Sequence, residues 1–144
     1  MARMVDVSNK EEVYRIAVAR GCIRLKPESL KKITNGEVEK GDVLTVTQVV
    51  AIEGAKKTSL LLPFCHQIRI DYVEPRILLE NNRICVEVTV KARERTGVEM
   101  EALTAVALAL LNIWDMVKKY EKDERGLYPY TVIENIVVVD KQKT

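Results

Sequence analysis

The stretch TGVEMEALTAVALALLNIWDMVKKY, from Thr96 to Tyr120, predicts one long helix and bears most directly on the fold. Apolar residues recur in it at steps of three and four, which gives the broad apolar stripe of a core-facing helix. The members of that stripe are Leu103, Val106, Ala107, Leu110, Trp114 and Val117. Acidic residues lie near both ends of the stretch: Glu99 and Glu101 at its start, and Asp115 towards its end.

The segments before and after this helix predict strands. HQIRIDYVEPRILLE (66–80) and RICVEVTVKAR (83–93) alternate between apolar and polar residues, and YTVIENIVVVD (130–140) makes a last strand. Asn81-Asn82 separates the first two, and asparagine tolerates the positive φ of a hairpin turn. Pro75 indicates an edge position or a bulge, because proline cannot donate to a ladder.

Two segments leave helix and strand open. VYRIAVARGCIRL (13–25) suits either, and KGDVLTVTQVVAIEGAKKTSLLLP (40–63) is rich in β-branched residues, with Asp42 as an N-cap and Pro63 as a stop. KPESLKKITNG (26–36) predicts a short helix. The order of elements predicts an α+β fold, an antiparallel sheet with helices packed on one face, in a single domain spanning residues 1–144.

Composition excludes several classes of function. A net charge of +2 over 144 residues, with one Phe and one Trp, argues against a nucleic-acid-binding surface. No apolar run of transmembrane length and no signal-peptide core are found, which predicts a cytoplasmic protein without a membrane partner. Three cysteines without CxxC spacing predict reduced thiols.

The acidic residues each have a structural explanation. Thr96-Gly97-Val98-Glu99 fits a capping box, which accounts for Glu99 but not for Glu101. For Glu101 the structural explanation is the helix dipole, which favours any acid in the first turn. Asp115 could simply pair with Lys118 and Lys119. Glu101 and Asp115 lie fourteen residues apart, about 21 Å along a helix. If both are functional, the ligand is long or the pocket is shared between subunits.

His66, the only histidine, lies in Pro63-Phe64-Cys65-His66 just before a strand. A lone histidine is more often structural than catalytic, yet its pKa suits proton transfer. No second Cys/His pair has zinc spacing, so no metal is predicted. Most lysines are expected to be solvated, and no P-loop motif is present, but scattered cations such as Lys40 could bind an anionic substrate.

Several stretches together resemble one family. MVDVSNK (4–10), KGDVL (40–44), AKKTSLLLPFCH (55–66) and TGVEMEALTAV…IWDMVK (96–118) are similar to cyclic pyranopterin monophosphate synthase, the molybdenum-cofactor biosynthesis protein C family. The similarity runs from about Met4 to Lys141.

The resemblance implies a ferredoxin-like subunit in a homohexamer, a trimer of dimers with active sites between subunits. It implies a lyase whose substrate is (8S)-3′,8-cyclo-7,8-dihydroguanosine 5′-triphosphate, a cyclised dihydro-GTP. The products would be cyclic pyranopterin monophosphate and pyrophosphate, and no cofactor is implied.

The resemblance also implies site residues. The residues expected in catalysis are Asp115, Lys40, Lys118 and His66. The residues expected to bind substrate are Phe64, Cys65, His66, Glu99, Met100, Glu101, Arg15, Lys10 and Lys141.

The sequence departs from the family pattern at Gln67, where proline is common, and at Lys57, where arginine is common. The family often continues past Lys141 into Ser-Gly-Gly-Lys, whereas this chain reads Lys141-Gln-Lys-Thr. A non-catalytic, oligomeric purine-nucleotide-binding module of the same fold is therefore the alternative. An RNA-binding module is weaker, because RICVEVTVKAR carries no aromatic residue.

Overall fold

A four-stranded antiparallel sheet and four helices make up the computed structural model, which describes residues 1–144. The elements in chain order are β1 (Val13–Arg24), α1 (Pro27–Thr34), α2 (Val43–Lys56), α3 (Thr58–Leu61), β2 (Tyr72–Leu79), β3 (Arg83–Glu94), α4 (Glu99–Glu121) and β4 (Val132–Lys143). The strands lie in the order β2-β3-β1-β4, and every neighbouring pair is antiparallel. This is the strand order of a split βαβ, ferredoxin-like sheet, so the predicted α+β class is confirmed.

The hairpin between β2 and β3 turns where it was predicted. Glu80 donates its N–H to the Arg83 carbonyl at 2.9 Å, and Asn81-Asn82 forms the two-residue turn. The asparagines turn without a positive φ, which among non-glycine residues occurs only at Asn135. Pro75 lies in β2, which is an edge strand, as predicted.

The prediction of a strand from residue 66 onward is wrong for its first part. β2 begins only at Tyr72, and residues 66–71 approach the sheet without joining the ladder beyond one contact, from Asp71 N–H to the Lys91 carbonyl. Ile68 and Ile70 alternate because both pack on the edge of the core. Alternation thus reports burial of every second side chain and does not require strand pairing.

The structure decides between helix and strand for the two segments that the sequence left ambiguous. Residues 13–24 are a strand because β3 pairs with one side of them and β4 with the other. Ala17, Ala19 and Ile23 point into the core. Residues 43–56 are a helix, in which the Asp42 carboxylate accepts from the Thr45 N–H at 3.2 Å, so the predicted N-cap is confirmed.

α4 packs across the sheet and against α2, and it contributes ten buried residues. A Cβ at Gly21 of β1 would lie 2.9 Å from Leu110 and 3.0 Å from Val106, so glycine allows the helix its close approach. A Cβ at Gly54 of α2 would lie 3.1 Å from Leu108 and 3.2 Å from the Ala105 Cα. Gly21 therefore makes room for α4 side chains on the sheet, and Gly54 lets α2 and α4 pack with their backbones close together.

Helix α4 also meets the length and hydropathy of a membrane span, contrary to the sequence prediction that no segment does. Half of its most apolar 18-residue window is buried inside this molecule. A helix buried in the core of a globular protein meets the same length and hydropathy criteria. The packing of α4 therefore explains its long apolar sequence.

Two of the three cysteines are joined, which corrects the prediction of three reduced thiols. Cys22 and Cys85 form a disulfide across 63 residues of sequence, and Cys65 is free. The pairing register places Cys22 directly opposite Cys85 on the two central strands. Their separation in sequence gave no sign of this, because register is a property of the whole sheet.

A buried carboxylate holds the C-terminal end of α4. Glu121 is fully buried and accepts hydrogen bonds from the Lys26 N–H at 3.0 Å and from the Thr131 hydroxyl at 2.6 Å. The Ser29 hydroxyl donates to it as well. Three donors, from the start of α1 and the approach to β4, thus satisfy the buried carboxyl oxygens at the last residue of α4.

We predict that Gly54→Val destabilises the protein by about 1–3 kcal/mol, because the added atoms meet the α4 backbone and overpacking cannot relax there. Valine has a better helix propensity than glycine, so propensity alone would give the opposite sign. Thermal unfolding followed by circular dichroism measures the change. Gln48→Val, at an exposed position of the same helix, is the control, and equal melting temperatures for the two variants would contradict the packing argument.

Candidate active site

A cavity of about 610 Å³ opens at the N-terminal end of α4. Six predicted substrate-binding residues line it: Lys10, Phe64, Cys65, His66, Glu99 and Met100. The remaining wall consists of Val5, Val7, Leu62, Pro63, Ile68, Thr96 and Gly97. The structure therefore brings the PFCH segment and the start of α4 to one place, although about 35 residues separate them in sequence.

The PFCH segment reaches the cavity because α3 stops just before it. Leu62 leaves the helical conformation, and its carbonyl accepts from the Cys65 N–H at 3.0 Å, which forms a tight turn. The turn presents Phe64 outward, half exposed. His66 points towards the N-terminal segment, and its Nε2 lies 2.6 Å from the Val5 carbonyl oxygen.

The N-terminal segment was missed as a wall of the site. Val5 and Val7 line the cavity, and Asp6, between them, accepts from the Ser8 N–H at 2.9 Å and from its hydroxyl at 2.6 Å. These hydrogen bonds lower the pKa of the Asp6 carboxyl, and the nearby His66 lowers it further. The similarity of MVDVSNK to the family was the one available sign that this segment belongs to the site.

Glu101 lies beneath the cavity and not on its wall. Only 2% of the residue is exposed, its Oε2 accepts from the Cys65 thiol at 3.8 Å, and its Oε1 has no hydrogen-bond partner. Burial raises the pKa of the Glu101 carboxyl to about 7. Burial raises the pKa of the Cys65 thiol, and the Glu101 charge raises it further. Cys65 is therefore a poor nucleophile at neutral pH.

The predicted capping box is wrong. α4 begins at Glu99 itself, Val98 occupies the N-cap position, and no side chain caps the helix. The Glu99 carboxylate instead turns back over Gly97 and pairs with Lys141 of β4, with Oε2 3.5 Å from the lysine Nζ. Glu99 thus forms an ion pair with a residue of a distant strand and does not form the local capping box.

Basic residues gather beside the same end of α4. Arg15, Lys141 and Lys143 line a small cavity of about 200 Å³ next to Gly97 and Val98. The Arg15 guanidinium is held in place by donating to the Glu94 carbonyl at 3.0 Å. This group of cations could bind phosphate oxygens next to the larger cavity.

A second cluster lies at the opposite end of α4. The Asp115 carboxylate is 3.1 Å from the Lys40 Nζ and 3.5 Å from the Lys118 Nζ, and Lys40 also donates to the Asp115 carbonyl at 3.1 Å. All three side chains are about half exposed. The hydrogen bond from Lys40 lowers the pKa of the Asp115 carboxyl, with a smaller contribution from Lys118, so Asp115 is ionised at neutral pH.

Within one chain the two clusters do not meet. Fourteen residues of continuous helix separate Glu101 from Asp115, a rise of about 21 Å. The structure thus brings nine predicted residues together around the N-terminal end of α4 and three around its C-terminal end, and the second group shares no cavity with the first.

We predict that the free energy of unfolding falls as pH rises from 4.5 to 7, in part because of Glu101. Its folded-state pKa lies above the ordinary value of 4.5, so the native state holds a proton that the unfolded chain releases. Glu101→Gln cannot ionise and should remove this part of the slope. At pH 8 the variant should be more stable than the wild type by on the order of 1–3 kcal/mol.

Urea unfolding at pH 4.5, 6 and 8, with equal protein concentrations, measures the difference between the two proteins. Glu124→Gln is the control, since Glu124 is exposed in the loop after α4. Parallel curves for wild type and Glu101→Gln would show that Glu101 does not carry a raised pKa.

The similarity of this chain to known proteins covers the residues of both clusters. The model of the MoaC family matches residues 4–144. Proteins from Sulfurisphaera tokodaii and Saccharolobus solfataricus are 55% and 56% identical to the chain, over 99% of it and 95% of each relative. A protein from Archaeoglobus fulgidus is 53% identical over 98% of the chain and 90% of its own length. All three are named probable cyclic pyranopterin monophosphate synthase. Because the match extends over nearly all of its residues, this chain belongs to the MoaC family.

Proposed function

We propose that this protein is a cyclic pyranopterin monophosphate synthase of molybdenum cofactor biosynthesis. It converts (8S)-3′,8-cyclo-7,8-dihydroguanosine 5′-triphosphate into cyclic pyranopterin monophosphate and releases pyrophosphate. The observation that carries the proposal is the family match over residues 4–144. The two charged clusters at the ends of α4 supply the acids, bases and cations that such a reaction needs.

The reaction needs a proton acceptor. When a sugar hydroxyl attacks the α-phosphorus, the new P–O bond forms as the bond to pyrophosphate breaks, and the hydroxyl proton must leave. Asp115 is ionised and exposed, so it suits this role, with Lys40 and Lys118 beside it to stabilise the negative charge of the phosphates. The ring rearrangement needs a group on the cavity wall that both gives and takes protons, and His66 suits that role because it lines the cavity. Glu101, whose pKa is about 7, lies beneath the wall and reaches the cavity only through the Cys65 thiol, 3.8 Å from its Oε2.

Substrate contacts follow from the geometry of the larger cavity. The apolar wall around Phe64 and Met100 fits a flat heterocycle, and Cys65 and Glu99 offer polar edges to it. Lys10, Arg15 and Lys141 surround this end of α4 and suit the triphosphate.

We propose further that the active site is completed by a second subunit, within a homohexamer built as a trimer of dimers. Two observations support this: the positions of the two clusters on α4 and the exposed apolar side chains between them. The Glu101 and Asp115 clusters lie at opposite ends of one helix, and Leu108 is midway between them. A two-fold axis near the middle of α4 would therefore bring the Asp115 cluster of one subunit to the Glu101 cluster of the other.

Exposed apolar side chains support the same arrangement. On the helical layer between the two clusters, Val49 of α2 is 55% exposed and Leu111 of α4 is 53% exposed, with Val46 nearby on α2. An isologous interface would cover these side chains.

The proposed compartment is the cytoplasm. The free thiol of Cys65 fits a reducing compartment. The Cys22–Cys85 disulfide is buried, which shields it from exchange with the thiols of a reducing compartment.

The direct test supplies purified protein with freshly made cyclised dihydro-GTP and measures the pyranopterin product and pyrophosphate together. Both should appear in equal amounts. Intact substrate in the presence of folded, oligomeric protein would favour the non-catalytic nucleotide-binding module.

We predict that Asp115→Asn lowers kcat by at least about 100-fold, because the amide cannot accept the proton. The melting temperature should change little, since the side chain is about half exposed and its ion pairs lie on the surface. Asp71→Asn, at an exposed aspartate away from both clusters, is the matched control. Normal turnover by the Asp115 variant would remove Asp115 from the mechanism.

We predict that His66→Ala and Asp115→Asn subunits complement each other. A mixed dimer holds one site with both defects and one with neither. Random mixing in equal amounts should therefore restore about a quarter of wild-type activity. Co-expression of the two variants, followed by activity measurement on the purified mixture, tests this. Lys40→Ala mixed with Asp115→Asn is the control and should restore none, because both defects fall at the same end of α4. A site formed within one chain would give no recovery in either mixture.

A further inference from the structure

Beyond Gly36, the loop that carries Lys40 has two local backbone hydrogen bonds, from the Glu37 N–H to the Lys32 carbonyl at 2.8 Å and from the Gly41 N–H to the Val38 carbonyl at 3.1 Å. Neither of them fixes the loop to α4. The loop joins α1, which ends at Thr34, to α2, which begins at Val43. Gly36 and Gly41 both have left-handed backbone, at φ 68° and 124°, which frees the loop from the regular regions at either end. Val38, buried between them, is its one apolar anchor.

Tyr120 of α4 holds this loop at the residue before Lys40. The Glu39 backbone N–H donates to the Tyr120 hydroxyl oxygen at 2.9 Å. The tyrosine is five residues beyond Asp115 on the same helix. α4 therefore grips two adjacent residues of the loop, Glu39 through its backbone and Lys40 through the Asp115 carboxylate.

The Tyr120 ring is itself fixed. It is half-buried against the core, and the ammonium groups of Lys32 and Lys119 lie 5.1 and 5.6 Å from its centroid. The hydroxyl consequently has a defined position from which to accept the Glu39 N–H.

A third contact between this loop and α4, made by the Glu39 side chain, is weaker than the hydrogen bond to Tyr120. The Glu39 carboxylate pairs with Lys119, but both side chains are well exposed to solvent. An exposed ion pair between two long side chains fixes little. The backbone hydrogen bond to Tyr120 is the directional contact.

We infer that Tyr120 is a positioning residue for the proposed reaction: its hydroxyl holds the Glu39–Lys40 backbone so that the Lys40 ammonium group stays on Asp115. This rests on the proposed function only in that Lys40 and Asp115 act in turnover. The anchoring itself is a geometric statement that can be measured without substrate.

The test variant is Tyr120→Phe, which keeps the ring and removes the hydroxyl. We expect kcat to fall about three- to tenfold, the size of one lost hydrogen bond, with KM within about twofold of wild type. Tyr128→Phe is the matched control. Tyr128 is another half-buried tyrosine near the end of α4, it packs edge-on against Trp114, and its hydroxyl makes no hydrogen bond within the chain.

A double-mutant cycle separates positioning from general loosening. In a Lys40→Ala background the Tyr120→Phe change should have no further effect on kcat, because the group being positioned is gone. The same fold-loss in both backgrounds, or wild-type kcat in the single variant, would overturn the inference.

A carboxyl-carbon NMR titration of Asp115 gives a readout that does not require turnover. Lys40 and Lys118 are the charged groups that face this carboxylate, and the Lys40 hydrogen bond is the larger cause of its lowered pKa. Tyr120→Phe should move the Asp115 pKa upward, and Tyr128→Phe should not. If the wild type proves inactive on cyclised dihydro-GTP, an upward shift still supports the anchoring while the synthase proposal fails. An unchanged Asp115 pKa overturns the anchoring whatever the activity.

Discussion

Helix α4 packs on the sheet along a continuous apolar stripe, and both clusters of charged side chains depend on that contact because the helix carries one at each end. The packing is close because Gly21 of β1 leaves room for the Leu110 and Val106 side chains, and α4 is also held by α2, whose Gly54 lets the backbone at Ala105 approach. A helix held so tightly along its length keeps the positions of Glu101 and Asp115 fixed relative to each other. The separation between the two clusters, about 21 Å along one helix, is therefore a rigid property of the fold.

The same helix creates two opposite electrostatic environments. Near its start, Glu101 is surrounded by protein and has one unpartnered oxygen, so the neutral acid is favoured. Near its end, Asp115 is open to water and flanked by two ammonium groups, so the anion is favoured. Two carboxyl groups of similar intrinsic acidity thus have pKa values shifted in opposite directions, that of Glu101 upward to about 7 by burial and that of Asp115 downward by neighbouring ammonium groups. In the two-subunit site that we propose, proton donors and acceptors of different strength would face one substrate.

Local patterns predicted those features that neighbouring residues determine. The periodicity of α4, the N-cap at Asp42, the turn at Asn81-Asn82 and the edge position of Pro75 all follow from a few adjacent side chains. Features that depend on distant partners did not follow. The assignment of residues 13–24 needed β3 and β4 on either side, and the disulfide needed the register of the central strands. Local patterns were also wrong where they competed with such partners.

Among the site residues, too, contacts with distant partners could not be predicted from local sequence. Thr96 and Glu99 have the spacing of a capping box, yet Glu99 pairs with Lys141, 42 positions later, because β4 returns beside the start of α4. Nothing local links Lys40 to Asp115, and only the resemblance to a family placed them together in advance. The Tyr120 contact to Glu39 had no sign in the sequence, because an aromatic residue at the end of an amphipathic helix is ordinary. The bond joining Cys22 to Cys85 has one more effect, on chain topology. It closes a covalent ring through both central strands that includes α1, α2, α3 and β2. A cut anywhere in that ring, including the loop of Lys40, would leave one covalently connected molecule, in which Lys40 stays tethered to the strands that support α4.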